Sequence, residues 1–410
     1  MKHEELLKII EDYHTNTDDN IVGVGYGYKE TNGIITDEKS IIFSVKEKLP
    51  ISKLASHKIL PSEVKISNDE ILTTDVIQEE YKLMTTVCDP AFYTWQTTPP
   101  SNRNKFRPLK GGISTTNYTR SSNYVGTLGL IAKDNDTNSI VGVSNNHVLI
   151  DDAFICSERS KIGAITNIKN NDVTQPNEPG NSSISNSIGK VKKYYPIRSD
   201  RYNYVDVALT TVKSSDINLS SSYHQEGLST TNLPFATTSE INNLLTTNPL
   251  LYSAGRTTGA KGEGLLKLRV LSSPYVVSSI YYNKQGAGIS VSYSDCIRYC
   301  VTYDTTQPIT SICPYPIAGG DSGSALIADF SGTKKIIGLA FAGSSDNLKG
   351  IACRIDRIQT LMNISAWNGE AISFSNTNST MEITVDGLSD NEYIDYIDGK
   401  RYWQSGLRNK

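Results

Sequence analysis

The chain has 410 residues, of which 38% are hydrophobic and 20% charged, and its formal net charge at pH 7 is −3. This composition is typical of a folded protein with two or more domains, and it excludes a disordered or fibrous chain. The small net charge gives no electrostatic argument for nucleic acid or an anionic membrane surface as a partner. Because no apolar run approaches the ~20 residues that span a bilayer, we expect no membrane partner either.

The first part of the chain predicts a small α/β domain over residues 1–87. Residues 1–16 carry charges throughout, which indicates a short amphipathic helix and not the apolar core of a signal peptide. Strand-like runs follow at 21–29, 40–49 and 70–77, with a helix-like run at 51–59.

A linker and a β-rich region follow the N-terminal domain. Residues 88–112 are rich in Pro, Asn and Gly and have no period, which predicts a linker. From residue 113 short β runs alternate with polar turns, as they do in sandwiches and barrels. We therefore expect a mainly β fold, with a first barrel over 113–250, a second over 251–365 and a polar C-terminal extension over 366–410 containing the strand-like "MEITV".

The first barrel includes a polar insertion, and a sequence pattern at the end of this insertion predicts a helix. Thr237 and Glu240 have the spacing of a capping box. This pattern predicts a short helix that continues through Leu245.

The stretch "AGGDSGSALI" at 318–327 sets Ser322 directly after an acid and between glycines. Clusters of Gly, Asp and Ser also occur in ordinary turns, so the stretch alone leaves a turn as the alternative. A serine hydroxyl becomes a good nucleophile when a base takes its proton and a third group orients that base. Ser322 is a candidate nucleophile if the chain supplies these two partners.

His147 and Asp206 are the candidate partners. His147 is the one histidine of five that lies in the β-rich region directly after an apolar strand, in "VGVSNNHVLI". Asp206 lies among apolar residues in "YVDVALTTV", and a buried carboxylate without a partner is costly. We expect it to bond an imidazole N–H. The alternatives are a solvated turn histidine and an edge-strand acid that faces solvent.

The chain order is His147, Asp206, Ser322, which is the order in the two-barrel serine proteases. The α/β-hydrolases and the subtilisins have different orders. The motifs "SNNHVL", "YVDVAL" and "GGDSGSAL" resemble those of chymotrypsin-like serine peptidases. With "GRTTG" at 255–259 and a leading "VGVGYGYK", the chain is similar to the bacterial and plant branch of trypsin-like peptidases that includes the rice narrow-leaf protein.

This resemblance covers most of residues 20–365 and implies a fold and a mechanism. The fold would be two antiparallel six-stranded β-barrels of the chymotrypsin type, preceded by the α/β domain. Ser322 would attack a peptide carbonyl, His147 would move the proton and Asp206 would hold the imidazole tautomer. The N–H groups of Gly320 and Ser322 would form the oxyanion hole. No cofactor and no metal would be needed.

The resemblance also implies a substrate pocket beside the nucleophile. Counting along the chain places Pro316 at its base and Gly343 and Gly350 at its walls. None of these residues is acidic, so a Lys or Arg side chain would be buried without a partner. We expect a preference for apolar residues of medium size, such as Leu, Met or Phe, at the position before the cleaved bond.

Two positions depart from the pattern of the secreted relatives. Phe341 stands where those relatives often carry a hydroxyl residue that supports the triad acid, so Asp206 needs another donor. Secreted relatives pair the acid before the serine with a new N-terminus made by cleavage. With about a hundred residues before its barrels, this chain must satisfy Asp321 differently, and we expect activity without N-terminal processing.

The six cysteines are too sparse for a disulfide scaffold. Without an export signal, we expect reduced thiols and a cytoplasmic protein. Zinc at Cys296, Cys300 and Cys313 is a weaker alternative, since no histidine lies near them in the sequence.

The sequence thus predicts an intracellular serine endopeptidase that acts on a protein or peptide substrate. The alternative is a catalytically silent pseudo-protease that serves as a peptide-binding or scaffold module. With either function, the N-terminal domain is a candidate surface for a regulatory partner or for homo-oligomer formation.

Overall fold

The computed structural model describes most of the chain, and the account below is confined to the described residues. These are residues 2–15, 19–31, 33–67, 70–83, 101–118, 125–150, 171–176, 183–217, 225–229, 233–262, 266–284, 287–303, 315–346, 348–367, 369, 392–397 and 400–405. They form a mainly β protein, as the sequence predicts. Among them, no helix is both long and apolar enough to cross a membrane.

Helices are few and mostly short. The α-helices are α1 (His3–Thr15), α2 (Asn146–Leu149), α3 (Thr238–Asn242), α4 (Leu244–Thr247) and α5 (Ile355–Met362). Single 3₁₀ turns lie at Ile51–Lys53, Ser56–Lys58, Ser101–Arg103, Ile184–Asn186 and Ser214–Asp216.

Strands make up most of the described chain. In chain order they are β1 (Ile21–Thr31), β2 (Ile34–Val45), β3 (Glu63–Lys65), β4 (Ile71–Gln78), β5 (Tyr81–Leu83), β6 (Ile113–Asn117), β7 (Gly126–Leu128), β8 (Leu130–Asp134), β9 (Ser139–Ser144), β10 (Asp172–Thr174), β11 (Ser187–Tyr194), β12 (Tyr202–Asn203), β13 (Ala208–Thr211), β14 (Leu251–Gly255), β15 (Gly259–Lys261), β16 (Leu266–Lys284), β17 (Ala287–Tyr303), β18 (Ala325–Phe330), β19 (Thr333–Ser344), β20 (Lys349–Arg354), β21 (Ile364–Ala366), β22 (Glu392–Ile397) and β23 (Lys400–Ser405).

Two large sheets organise these strands. An 8-stranded sheet has the order β21-β8-β9-β13-β11-β10-β6-β7. A 13-stranded sheet has the order β12-β17-β20-β19-β18-β14-β16-β1-β2-β4-β3, with β15 beside β14 and β5 beside β19. The pair β22 and β23 forms a separate hairpin. One large hydrophobic core contains side chains from both large sheets, most of them β-branched or aliphatic.

The N-terminal strands continue the second large sheet. Strand β1 pairs antiparallel with β16, placing Val24 opposite Val276. Helix α1 carries an apolar stripe that packs Leu6 and Ile10 into a smaller cluster above these strands. The N-terminal segment is therefore hydrogen-bonded into the same sheet as the strands around Ser322.

The long hairpin of β16 and β17 bends repeatedly. Its pairing register shifts at four places between Val270 and Ile280. Such bulges increase strand twist and redirect side chains, and they tolerate a proline such as Pro274, which cannot donate to the ladder. The bends let β16 pair with β14 near its start and with β1 farther along. The far end of the hairpin then extends to the triad candidates.

Most local predictions are confirmed and some differ. The helix at 1–16 is α1, and the Thr237–Glu240 capping box is present with both reciprocal hydrogen bonds. The helix after it is interrupted at Asn243, so it forms two short helices. The helix-like run at 51–59 forms two 3₁₀ turns instead, because it has too few residues between prolines Pro50 and Pro61 to propagate a longer helix. The strand-like "MEITV" lies outside the described residues.

Candidate active site

His147 lies in a tight turn that its two preceding asparagines hold. The turn leaves β9 and enters α2, with Asn145 at the helix N-cap position. The Asn145 side-chain amide donates to the carbonyl of Asp206 at 2.6 Å, and that of Asn146 donates to the carbonyl of Tyr195 at 2.6 Å. The motif "SNNH" thus anchors the histidine turn to the chain around Asp206.

Asp206 is fully buried two residues before β13 begins, as its apolar neighbours in the sequence predict. Its Oδ2 lies 2.6 Å from His147 Nδ1, and its Oδ1 accepts from the His147 backbone N–H at 3.2 Å. The Asp206 backbone N–H donates to Cys353 Sγ at 3.3 Å. These contacts exclude a solvent-facing acid and place a carboxylate behind the imidazole.

A tyrosine supplies the further donor that Asp206 needs. The hydroxyl of Tyr282 donates to Asp206 Oδ2 at 2.7 Å and lies 2.6 Å from the hydroxyl of Tyr293. The ring of Phe341 packs against Tyr293 with 4.5 Å between ring centroids. The sequence indicates that Phe341 cannot donate a hydrogen bond to Asp206, but it does not identify the donor that does. The tyrosines lie on a distant hairpin without a recognisable motif.

Asp321 is held by backbone amides of the "GRTTG" turn. Its Oδ1 accepts from the N–H groups of Thr257 at 2.7 Å and Thr258 at 3.1 Å, and its Oδ2 accepts from Ala318 N–H at 2.9 Å. A Cβ on Gly255 would lie 2.3 Å from Asp321 Oδ1, so only glycine fits there. The acid before the serine is therefore satisfied without a free N-terminus.

Thr127 joins the Ser322 loop to the 8-stranded sheet. Its N–H donates to the carbonyl of Ser322 at 2.8 Å, and its hydroxyl donates to the carbonyl of Gly320 at 2.8 Å. The same hydroxyl accepts from Arg256 N–H at 3.0 Å. Sequence reasoning missed Thr127, since nothing in "YVGTLGL" distinguishes it from an ordinary strand residue.

The Ser322 loop packs against the strand and turn that carry His147. A Cβ on Gly323 would lie 2.3 Å from Ser144 Oγ and 3.3 Å from the backbone nitrogen of Asn145. Ser322 itself is 3% exposed. The loop of the candidate nucleophile and the turn of the candidate base are thus in direct contact where the two sheets meet.

The glycines around Ser322 allow the loop to turn sharply. Gly320 has φ of 97° and Gly323 has φ of 92°, a region that side chains disfavour. A Cβ on Gly320 would also lie 2.5 Å from Thr257 Oγ1. An oxyanion hole made by Gly320 and Ser322 stays a prediction from the sequence.

The residues predicted to line the pocket lie on neighbouring elements. Gly343 of β19 pairs with Gly350 of β20, and Pro316 is buried before the nucleophile loop. The ring of Tyr299 lies over Gly350, since a Cβ there would be 2.4 Å from Cζ of Tyr299. Burial raises the pKa of Tyr299, and the charge of Asp321 adds to that rise. An aromatic ring therefore covers Gly350, one of the two predicted wall positions.

No group of three or more metal-ligating side chains exists among the described residues. Cys296 and Cys300 are buried free thiols on β17, whereas Cys313 lies outside the described residues. Burial raises the pKa of Cys300 to about 11 and that of Cys296 well above its ordinary value, which disfavours the thiolates that bind zinc.

The structure of this chain is weakly similar to solved structures. No family model and no curated protein matches the sequence. One similar structure is a glutamic acid specific serine protease, at 13% identity and a TM-score of 0.37, covering 63% of this chain and 100% of that chain. Another is a chimeric murine norovirus NS6 protease, at 13% identity and a TM-score of 0.25, covering 56% of this chain and 87% of that chain. What this chain does must be inferred from its own residues.

Proposed function

We propose that this chain is a serine endopeptidase of the chymotrypsin type in which His147, Asp206 and Ser322 form the triad. The hydrogen bond of 2.6 Å between His147 Nδ1 and the buried Asp206 carboxylate is the main support. Packing of the Ser322 loop against the histidine turn supports Ser322 as the third member. All three residue types occur in the order and surroundings that nucleophilic catalysis by serine requires.

The proposal includes an architecture and a division of the chain. Strands β6 to β13 of the 8-stranded sheet would contribute to the first of two six-stranded barrels, and strands between β14 and β20 would contribute to the second. The N-terminal domain would span 1–87, the linker 88–112, the barrels 113–250 and 251–365, and the C-terminal extension 366–410. The catalytic residues would lie between the barrels, as the contact between the Ser322 loop and the His147 turn requires.

The chemistry would proceed through an acyl-enzyme. Ser322 Oγ attacks the peptide carbonyl carbon while His147 Nε2 accepts its proton, and the imidazolium then gives that proton to the leaving amine. Water attacks the acyl-enzyme by the same route and releases Ser322. Asp206 fixes the Nδ1–H tautomer and stabilises the imidazolium, and the N–H groups of Gly320 and Ser322 stabilise the oxyanion.

The substrate would be a protein or peptide, with an apolar residue of medium size before the cleaved bond at the pocket of Pro316, Gly343 and Gly350. We place the enzyme in the cytoplasm, with a regulatory partner or homo-oligomer contact at the N-terminal domain. The second candidate function is a catalytically silent pseudo-protease that binds peptides through the same cleft.

Covalent labelling tests activity against the silent alternative. A fluorophosphonate probe should label the wild-type protein at one site, and Ser322→Ala and His147→Ala should each abolish the labelling. Folding of both variants is checked by circular dichroism. Absence of labelling in folded wild-type protein supports the pseudo-protease, and labelling that persists in Ser322→Ala contradicts the assignment of the nucleophile.

A further inference from the structure

Asp206 shares one carboxylate oxygen between two donors. Its Oδ2 faces His147 Nδ1 at 2.6 Å and the hydroxyl of Tyr282 at 2.7 Å. The carboxylate is fully buried, so each donor has a large effect on its charge and orientation. Tyr282 lies on β16 of the 13-stranded sheet, whereas Asp206 precedes β13 of the 8-stranded sheet. The tyrosine therefore holds the acid across the junction of the two sheets.

The hydroxyls form a chain that points at the acid. Burial raises the pKa of Tyr282 well above its ordinary value, and the neighbouring Asp206 charge adds to that rise. Tyr282 therefore stays protonated. Its hydroxyl donates a hydrogen bond to the carboxylate, which can only accept. Its oxygen is then free to accept from Tyr293, 2.6 Å away, whose ring rests on Phe341.

We propose that Tyr282, backed by Tyr293, is a positioning residue that orients Asp206 and withdraws part of its negative charge from the His147 imidazole. This inference rests on the proposed function of the triad. Besides His147 and Tyr282, the titratable side chain that contacts Asp206 in the described part of the chain is Cys353, whose pKa burial raises well above its ordinary value, so it stays neutral. Tyr282 is consequently the neighbour that sets how strongly Asp206 favours the protonated imidazole.

The test compares Tyr282→Phe with wild type in kinetics and in titration of the His147 ring by NMR. Without the hydroxyl, the carboxylate charge is less dispersed, so the titration midpoint of His147 should move to higher pH. The value of kcat should fall about tenfold to a hundredfold, the range expected for a lost hydrogen bond to a charged group, with KM nearly unchanged. Tyr293→Phe should produce smaller changes in the same directions.

Tyr28→Phe is the matched control, since the buried Tyr28 hydroxyl donates to the Leu245 carbonyl at 2.8 Å. It should leave the midpoint and kcat unchanged. A His147 midpoint that stays in place in both Tyr282→Phe and Tyr293→Phe would overturn the inference. The NMR titration needs no turnover, so failure of this inference is distinguishable from absent fluorophosphonate labelling, which would overturn the proposed function.

The N-terminal segment covers an edge of β19 beside the nucleophile loop. Ala340 of β19 exchanges backbone hydrogen bonds of 2.9 Å with Gly323 and Ser324. Farther along the same strand, residues 342–344 pair antiparallel with β5, and Leu83 stands opposite Ala342. This N-terminal strand therefore runs toward the nucleophile loop along an edge where an extended peptide would add as a strand.

β5 is firmly anchored at this edge. Tyr81 is buried, and its hydroxyl accepts from Arg298 Nε at 2.6 Å. Tyr81 also donates to Glu79, which forms an ion pair with Arg298 at 2.9 Å and another with Lys349 at 3.0 Å. Glu79 and both cations are largely buried, which holds this short strand in a fixed register.

We infer that β5 competes with peptide substrates for residues 342–344, so that the chain's own N-terminal segment limits access to the proposed active site. This second inference also rests on the proposed function. It gives the N-terminal domain a regulatory role: displacement of β5 would free the edge without any cut in the chain.

Proline substitutions in the full-length chain test this competition. Successive strand amides point to opposite sides, so either Lys82→Pro or Leu83→Pro removes a donor to β19. At least one of them should raise kcat/KM for a tetrapeptide substrate about tenfold, because less of the enzyme is occupied by β5. Labelling by a small fluorophosphonate, which does not need this edge, should stay at the wild-type rate.

Lys65→Pro, at an exposed position of the three-residue strand β3 at the far end of the sheet, is the matched control and should leave kcat/KM unchanged. Unchanged or lower kcat/KM in both β5 variants, with labelling intact, would overturn the inference. Loss of labelling from the wild-type protein would instead overturn the proposed function.

Discussion

The carboxylate of Asp321 accepts a hydrogen bond of 2.7 Å from the backbone N–H of Thr257. Two further amides complete its surroundings, and the side chain is 1% exposed. The contact binds the loop that carries Ser322 to the turn after β14. Backbone amides therefore satisfy this buried carboxylate.

Asp321→Asn should destabilise the protein and disorder the Ser322 loop. The NH₂ group of an Asn side chain would face backbone N–H groups that also donate. The loss of hydrogen bonds to a charged group should lower the free energy of unfolding by about 2–3 kcal/mol. Urea unfolding and fluorophosphonate labelling measure the two effects. Asp329→Asn, in a surface turn where the carboxylate accepts from Gly332, should change neither by much. An Asp321→Asn protein with wild-type stability and labelling would contradict this role.

Asp206→Asn should fold but lose on the order of 10⁴ in kcat, because the amide favours the wrong imidazole tautomer. Steady-state hydrolysis of a peptide substrate measures the loss, and circular dichroism checks the fold. Asp200→Asn provides a control in an exposed ion pair with Arg198. A loss of tenfold or less in Asp206→Asn would show that this carboxylate does not orient the base.

Local sequence patterns predicted the parts of this protein that depend on near neighbours. Helix α1 follows from the charges spread along residues 1–16, and the capping box follows from the spacing of Thr237 and Glu240. Both are short-range features, since the interacting residues lie within one or two turns of chain.

Apart from the contact of Asp206 with His147, the sequence does not predict contacts between distant strands. Tyr282 and Asp206 are 76 residues apart, and the pairing of β1 with β16 joins segments separated by much more of the chain. Strand pairing depends on bulges and on the packing of whole sheets, which leave no local period. The tyrosine donor and the place of β5 therefore required the structure.

The cysteines should be reduced and, where described, unreactive in the folded protein. Cys296, Cys300 and Cys353 are buried free thiols, and burial raises the pKa of all three. Thiol titration after denaturation should find close to all six cysteines as free thiols. When the native protein is treated with an alkylating reagent, mass spectrometry should find these three cysteines unmodified. Two or more disulfides in protein isolated under alkylating conditions would contradict a cytoplasmic location.

Lys261 should make stability rise with pH. Its ammonium is buried and donates to the Thr258 carbonyl at 3.3 Å, and burial lowers its pKa to about 8 while the Asp321 charge opposes that shift. The unfolded chain keeps this proton up to about pH 10. Between these values the unfolded state binds more protons, so the free energy of unfolding increases with pH.

Lys261→Met removes the buried charge and should be more stable than wild type at pH 7, by about 3 kcal/mol at most. The difference should shrink by about 1.4 kcal/mol per pH unit above pH 8. Urea unfolding at several pH values measures it, with Lys267→Met on the exposed face of β16 as the control. A difference that stays constant with pH would show that Lys261 titrates normally.

The proposed pocket residues predict cleavage after apolar residues of medium size. Pro316, Gly343 and Gly350 carry no charge, and the neighbouring Asp321 is already bonded to three amides. Asp346, the other acid close by in the sequence, accepts from the Ser344 hydroxyl at 2.5 Å and the Leu348 N–H at 3.0 Å, which holds it in the hairpin turn.

A Lys or Arg side chain in this pocket would therefore be buried without a partner, at a cost of several kcal/mol. The ring of Tyr299 over Gly350 further favours flat or flexible apolar side chains such as Phe, Met and Leu. Peptides that differ only at the residue before the cleaved bond test this by their kcat/KM values. Because the acids near the pocket are engaged, a tenfold preference for Lys or Arg would mean that an acid from another part of the chain enters it.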